Sequence, residues 1–226
     1  MATVAPIVWA CTESEIVPTE TTTDTESSSG EGSGDCTLTP SETEGPFPTH
    51  DPASLERVDI RSDREGVVMD VNITVQDSGN GCAGLSEAIV DIWHCDAEGY
   101  YSEYGGSGMQ QVDLTSAHFL RGRQATNDEG LVTFTSIFPG WYRGRAPHIH
   151  VHIYDASGQS LLVTQIAFPG EITEAVYTTA TDMYPNGTQD TSNDNDNVFR
   201  DGYANELATL TGSVANGYTL THAIVV

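Results

Sequence analysis

Apolar and polar residues alternate with a period of two in six segments of this chain. VMDVNITV (68–75) places Met69, Val71, Ile73 and Val75 on one face, and AIVDI (88–92) does the same with Ala88, Val90 and Ile92. LVTFTSIF (131–138), HIHVHIY (148–154), LLVTQIAF (161–168) and YTLTHAIVV (218–226) repeat the pattern. Successive side chains on a strand point to opposite faces, so this alternation predicts half-buried strands rather than helices. Turn signals (SGNG, DEG, ASG, PNG) stand between them. Short strands at this spacing predict an all-β fold: a single β-sandwich of mixed or antiparallel strands, with long functional loops and one or two short helices. EITEAVYTTA (171–180) is the stretch that reads as helix.

The N-terminal end follows different rules. Residues 12–35 are dominated by Thr, Ser, Glu and Gly. Such a segment buries too little apolar surface to offset its chain entropy, so residues 1–35 are expected to be a disordered acidic tether and 36–226 the folded domain. MATVAPIVWAC at the very start resembles the end of a bacterial lipoprotein signal, which makes Cys11 a candidate lipid anchor. The expectation is an exported protein, secreted or held at the cell surface as a lipoprotein. No run of 18 or more apolar residues is present, so no membrane-spanning segment is expected.

Charge narrows the partners. The 226 residues carry 33 Asp+Glu against 8 Lys+Arg, a net charge of −25, and all eight basic residues are arginines. A surface this negative repels phosphate backbones and anionic lipid, which excludes nucleic acid as a partner. The four cysteines are Cys11, Cys36, Cys82 and Cys95, with no C-x-x-C. Cys82 and Cys95 flank one strand, whose length holds them too far apart for a bridge. Cys36 is therefore expected to pair with one of the two, either Cys82 or Cys95.

The candidate chemistry lies in HIHVHIY. His148, His150 and His152 share one strand face, opposite Ile149, Val151 and Ile153. Unpaired buried imidazoles are costly, so a metal site explains the pattern better than a core. Positions two apart are about 7 Å from each other and can converge on one ion; positions four apart, at about 13 Å, cannot. The ion takes 148 and 150, or 150 and 152. No Cys pair or carboxylate in register completes the shell. Tyrosine is what the neighbourhood supplies: Tyr142 six residues before His148, and Tyr100, Tyr101 and Tyr104 after the strand ending DIWHCDAEG. A phenol loses its proton beside a trivalent cation and becomes a hard anionic ligand suited to Fe(III). DTSNDNDNVFRDG (190–202) is acidic but lacks the EF-hand register, and reads as a polar loop rather than a calcium site.

Five segments together carry a family resemblance: CTLTPSETEGPFP (36–48), VDIWHCDAEGYYSEY (90–104), FLRGRQATNDEGLVTF (119–134), SIFPGWYRGRAPHIHVHIY (136–154) and LLVTQIAFPG (161–170). In these motifs the chain resembles the intradiol ring-cleavage dioxygenases, catechol 1,2-dioxygenase-like and protocatechuate 3,4-dioxygenase-like, non-haem Fe(III) enzymes that open catechols between their two hydroxyls. The W-H-C-D-A and P-G-W-Y elements look like the secreted members. The helical dimerisation region of the larger cytoplasmic members is not visible, which leaves a homo-oligomer open. The resemblance implies Fe(III) bound by Tyr101, Tyr142, His148 and His150, with Tyr100 the competitor of Tyr101 and His152 outside the shell. It implies that Arg145 and Gln165 sit beside the substrate ring, that Tyr142 also takes part in catalysis as a proton acceptor, and that TEGPF (43–47) walls the pocket. The implied reaction takes a catechol and O2 to a cis,cis-muconate-type diacid, incorporating both oxygen atoms. An acidic pocket mouth favours plain or alkylated catechols and hydroxyquinol over protocatechuate. The competing reading is a β-sandwich ligand-binding module without redox activity.

Overall fold

The computed structural model describes residues 1–3 and 36–226. Nearly all of the expected tether, and the lipid-anchor candidate Cys11 with it, lies outside the described residues.

The described residues build nine strands and one α-helix: β1 (Val68–Asp77), β2 (Ala83–Gly84), β3 (Ile89–Trp93), β4 (Arg121–Ala125), β5 (Leu131–Ile137), β6 (His148–Tyr154), β7 (Ser160–Ala167), α1 (Gly170–Thr179), β8 (Thr209–Ser213) and β9 (Gly217–Val225). One sheet is centred on β1, which pairs antiparallel with β2 and β5 and parallel with β9; β8 pairs antiparallel with β9. The other runs β4-β3-β6-β7, antiparallel throughout. The inward rows meet in one apolar core. Met69, Val71, Ile73 and Val75 from β1, Val90 and Ile92 from β3, Ile149, Val151 and Ile153 from β6, and Leu220 and Ile224 from β9 are all sealed from solvent. A core assembled from alternate residues of two sheets is what the period of two demands.

The helix forms where expected and packs Val176 and Tyr177 into the core, with the Tyr177 hydroxyl donating to the Pro139 carbonyl at 2.8 Å. Two strands of more than two residues were not legible from the pattern. In β4, RGRQA puts charged Arg121 and Arg123 where an outward row belongs and only Gly122 and Gln124 inward, with Phe134 of β5 closing over the glycine. β8, TLTGS, is a half-exposed edge strand with no apolar row.

The segment 36–48 ties the two sheets together. Cys36 is bonded to Cys82, in the turn between β1 and β2, and Cys95 is a buried free thiol. This resolves the cysteine alternative in favour of Cys82. Thr39 then bonds with Val225 of β9 in both directions, and the Glu42 amide donates to Val163 of β7. The chain thereby crosses onto the far face of the β4-β3-β6-β7 sheet, where the histidines point.

Candidate metal centre

Register creates a row of chemistry across that sheet. Trp93 of β3 lies opposite Arg121 of β4 and His150 of β6, and His150 lies opposite Gln165 of β7. All four side chains point away from the core, yet Trp93, Arg121, His150 and Gln165 are at most 2% exposed. The cover comes from 36–48, from the long β3–β4 connection and from the β5–β6 connection. Each brings a sequence-predicted residue: the β3–β4 connection carries Tyr101 and the β5–β6 connection carries Tyr142 and Arg145.

The four proposed ligands converge. His148 Nε2 lies 3.2 Å from His150 Nε2, 3.4 Å from the Tyr101 hydroxyl and 3.3 Å from the Tyr142 hydroxyl. Its other nitrogen, Nδ1, is 2.6 Å from the Ala146 carbonyl oxygen. A carbonyl only accepts, so Nδ1 carries the proton and Nε2 presents a lone pair to the cluster. One lone pair cannot accept from every neighbour crowded round it. Ligands at about 2.0–2.1 Å around a single ion stand roughly 3 Å from one another, which is the spacing found here. The donor set fits a ferric ion: two imidazoles and two phenol oxygens that become anionic beside a cation. Among the described residues no group of three or more His, Cys, Asp or Glu is placed to hold a metal, so the site depends on its tyrosines.

Electrostatics prepares the set. Burial first, then the Arg145 guanidinium, push His148 well below the usual imidazole range. Burial, then His148 and Arg145, do the same to His150. Both rings are therefore neutral, the form that binds metal. Burial lifts the Tyr101 phenol well above its ordinary value, with Tyr142 adding to the effect. Tyr142 is raised by burial and pulled back by Arg145. Both phenols keep their protons until a cation arrives.

The rings are held from behind. Trp93 stacks on His150 with centroids 4.9 Å apart and planes within 5°. Gly45 of TEGPF, at φ +68°, rests on the other side of that imidazole; a Cβ there would stand 2.9 Å from His150 Cε1. Only glycine tolerates both the conformation and the contact. Phe47 packs on Tyr101, centroids 4.9 Å apart. Arg121 ties the cover down from the sheet: it donates to the Phe47 carbonyl at 2.9 Å, the Thr49 hydroxyl at 3.1 Å, and the Ser102 carbonyl and hydroxyl at 2.6 and 2.9 Å. Sequence reasoning assigned no role to Trp93 or Arg121. For Arg121 the available signal was the scarcity of cations, eight arginines in the whole chain.

Arg145 and Gln165, which the resemblance set beside a substrate ring, bond to each other at the edge of the donor cluster. Arg145 donates from NH2 to Gln165 Oε1 at 2.5 Å, and Gln165 Nε2 donates to the Thr43 carbonyl at 2.9 Å. Arg145 NH1 stands 3.4 Å from His148 Nε2, at the edge of the donor cluster. His152 points away from it: its ring stacks on Tyr154 at 3.9 Å, with Nε2 2.7 Å from Ser160 Oγ and Nδ1 3.2 Å from Glu44. Tyr100 and Tyr104 also lie outside the cluster. Tyr104 donates to the Pro48 carbonyl at 2.6 Å, and Tyr100 lines a cavity of about 310 Å³ with Phe47, Met109, Trp141, Tyr142 and Arg143. That volume suits a small aromatic molecule.

Comparisons with known proteins identify the family. A dioxygenase family model matches residues 44–201. A chlorocatechol 1,2-dioxygenase of Rhodococcus opacus is 30% identical over 159 residues, 59% of this chain and 57% of that protein. The chain spans about half the length of the curated relatives it matches. An intradiol ring-cleavage dioxygenase from Tetranychus urticae superposes with a TM-score of 0.72 at 28% identity, covering 84% of this chain and 94% of that one. The dioxygenase domain of a dioxygenase carbohydrate-binding protein fusion from the cellulolytic bacterium Streptomyces sp. SirexAA-E superposes with a TM-score of 0.61 at 28% identity, covering 84% and 98%.

Proposed function

The chain belongs to the intradiol ring-cleavage dioxygenase family, and on that premise we propose that it binds Fe(III) through Tyr101, Tyr142, His148 and His150 and opens a catechol between its hydroxyls with O2, giving a cis,cis-muconate-type diacid. The observation that carries the reading is the convergence of His150 Nε2 and two phenol oxygens within 3.2–3.4 Å of the His148 lone pair. When bound there, a ferric ion would supply Lewis acidity, drawing electron density from the diol oxygens so that the ring becomes reactive toward O2.

The chain's own groups do the rest. The Ala146 carbonyl holds His148 in the tautomer that presents Nε2. Trp93, Gly45 and Phe47 pack out water behind the donors, and a dry site strengthens every charge interaction within it. A diol must shed two protons on binding. The Tyr142 oxygen is suited to take one, because this phenol borders the cavity and burial raises its pKa, which keeps its anion basic. Arg145 NH1 projects to the edge of the donor cluster, where it can stabilise negative charge building on the ring and its oxygens. Gln165 holds the other arm of that guanidinium. The cavity beside Tyr142 is the proposed entry for the aromatic ring. Export is proposed as well, supported by the Cys36–Cys82 bond, since such bonds persist in oxidising compartments.

The test is oxygen uptake with a panel of catechols, run with metal analysis and a visible spectrum. The expected result is one iron per chain, a red-brown tyrosinate-to-Fe(III) band and uptake with plain or alkylated catechols. Tyr142→Phe should shift or weaken the band and cut turnover. An iron-reconstituted protein that stays colourless would overturn the proposal and leave the binding-module reading in its place.

A further inference from the structure

The acidic stretch 190–202, expected to be a polar loop, is instead clamped onto the segment that joins Tyr142 to His148. Asp190 Oδ1 accepts from the Gly144 amide at 3.1 Å, and Asn193 Nδ2 donates to the Phe168 carbonyl at 2.8 Å. The centre of the clamp is Asp196, whose side chain is fully buried. Its Oδ2 accepts from Arg145 Nε at 2.9 Å and from the Ala146 amide at 2.7 Å. Its Oδ1 accepts from Arg145 Nε at 3.0 Å and from the Val198 amide at 2.8 Å. Phe199, from the same loop, lies under the guanidinium with its centroid 5.9 Å from Cζ.

A guanidinium offers five N–H donors in a rigid plane, so holding two edges sets the third. Asp196 holds the Nε edge and Gln165 holds NH2. NH1 is the remaining arm, and it is the one 3.4 Å from His148 Nε2. The carboxylate that aims the guanidinium also binds the amide of Ala146, whose carbonyl selects the His148 tautomer. One buried anion thus links both elements of the site that must be aimed. Surrounding acids alone do not explain it, because both Asp196 oxygens are spent on named N–H groups.

We propose that Asp196 is the positioning residue for Arg145: it acts through the guanidinium, setting where NH1 points, and contacts neither substrate nor metal. The inference rests on the reading that Arg145 serves ring cleavage. Asn cannot replace Asp here. Each carboxylate oxygen accepts two N–H groups, so an NH2 in either place meets donors.

The test has two readouts. In the metal-free protein, the Arg145 Nε–H nitrogen–proton resonance, assigned by its loss in Arg145→Lys, should be protected from solvent exchange in the wild type and lose that protection in Asp196→Asn. In the iron-loaded enzyme, Asp196→Asn should retain the tyrosinate band while kcat/KM falls about 100-fold, the scale of a misplaced catalytic group. The double variant Asp196→Asn/Arg145→Ala should lose much less than the product of the two single losses, since residues acting as one unit do not add. Asp196→Glu keeps the anion and carries the same comparison if the Asn variant does not fold. Wild-type kcat/KM in Asp196→Asn, or a double variant whose losses multiply, would overturn the proposal. A wild-type protein that takes up iron but consumes no oxygen with any catechol would sink the functional reading instead, and the Nε–H protection would still decide whether Asp196 holds Arg145.

Discussion

Around His148 and His150 the two faces of strand β6 are both buried and chemically opposite. Ile149, Val151 and Ile153 point into the sandwich, and His148 and His150 point out of it, yet all five are at most 2% exposed. The inner face is dry because two sheets close on it, and its side chains ask only for apolar contact. The outer face is dry because loops fold over it, and each polar group there must be aimed. His148 Nδ1 has its carbonyl, Arg121 and Arg145 have carbonyls or acids, and His150 Nε2 and the two phenol oxygens stand 3.2–3.4 Å from His148 Nε2. Burial alone does not mark the site. The convergence of lone pairs and phenol oxygens does.

Substitutions that treat the faces differently sharpen this contrast. The largest effect is expected from His150→Ala, which removes a proposed ligand and leaves the core untouched. Iron retention should fall by more than about 100-fold, beyond what loss of a supporting residue does, with the metal-free melting temperature little changed; metal analysis after dialysis against a chelator, beside calorimetry, reads both. One position away, Ile149→Ala should do the reverse, costing about 2–5 kcal/mol of stability by denaturant titration while the folded fraction keeps its band. Loss of colour at native stability in that variant would break the distinction between the faces.

The third effect concerns a buried acid beside β7. Glu206 is sealed from solvent, accepts from Thr164 Oγ1 at 3.2 Å and leaves Oε2 without a hydrogen-bond partner. Burial, then the neighbouring Glu42, lift its pKa to about 8. The folded protein keeps this proton where the unfolded chain has lost it. Its stabilising contribution is therefore full below the ordinary carboxylate range and is lost as pH rises toward 8, at no more than about 1.4 kcal/mol per pH unit. Glu206→Gln should remove that slope, so the variant gains on the wild type between pH 5 and 8; parallel curves in urea at those pH values would refute it. The smallest effect belongs to His152→Ala. Its contacts are Ser160, Tyr154 and Glu44 at the rim, so the cost should be about 1 kcal/mol or less, with colour and turnover unchanged.

Much of this molecule was legible in one dimension. Strict alternation announced β1, β3, β5, β6, β7 and β9 and which residues face inward, because strand geometry converts period two directly into two faces. The same rule put three histidines on one face and left 148/150 or 150/152 open; short family motifs chose His148 and His150 and pointed to Tyr101, Tyr142, Arg145 and Gln165. Other features depend on partners far away in the chain. β4 reads as charged and flexible until its register against β3 places Arg121 under the Phe47 carbonyl. Asp196 looks like one more acid in a polar loop until folding buries it against Arg145, 51 residues away. Local periodicity records which side of an element a residue is on. Which distant group it meets is set by sheet register and by how loops close over a face, and those are decided only when the whole core packs.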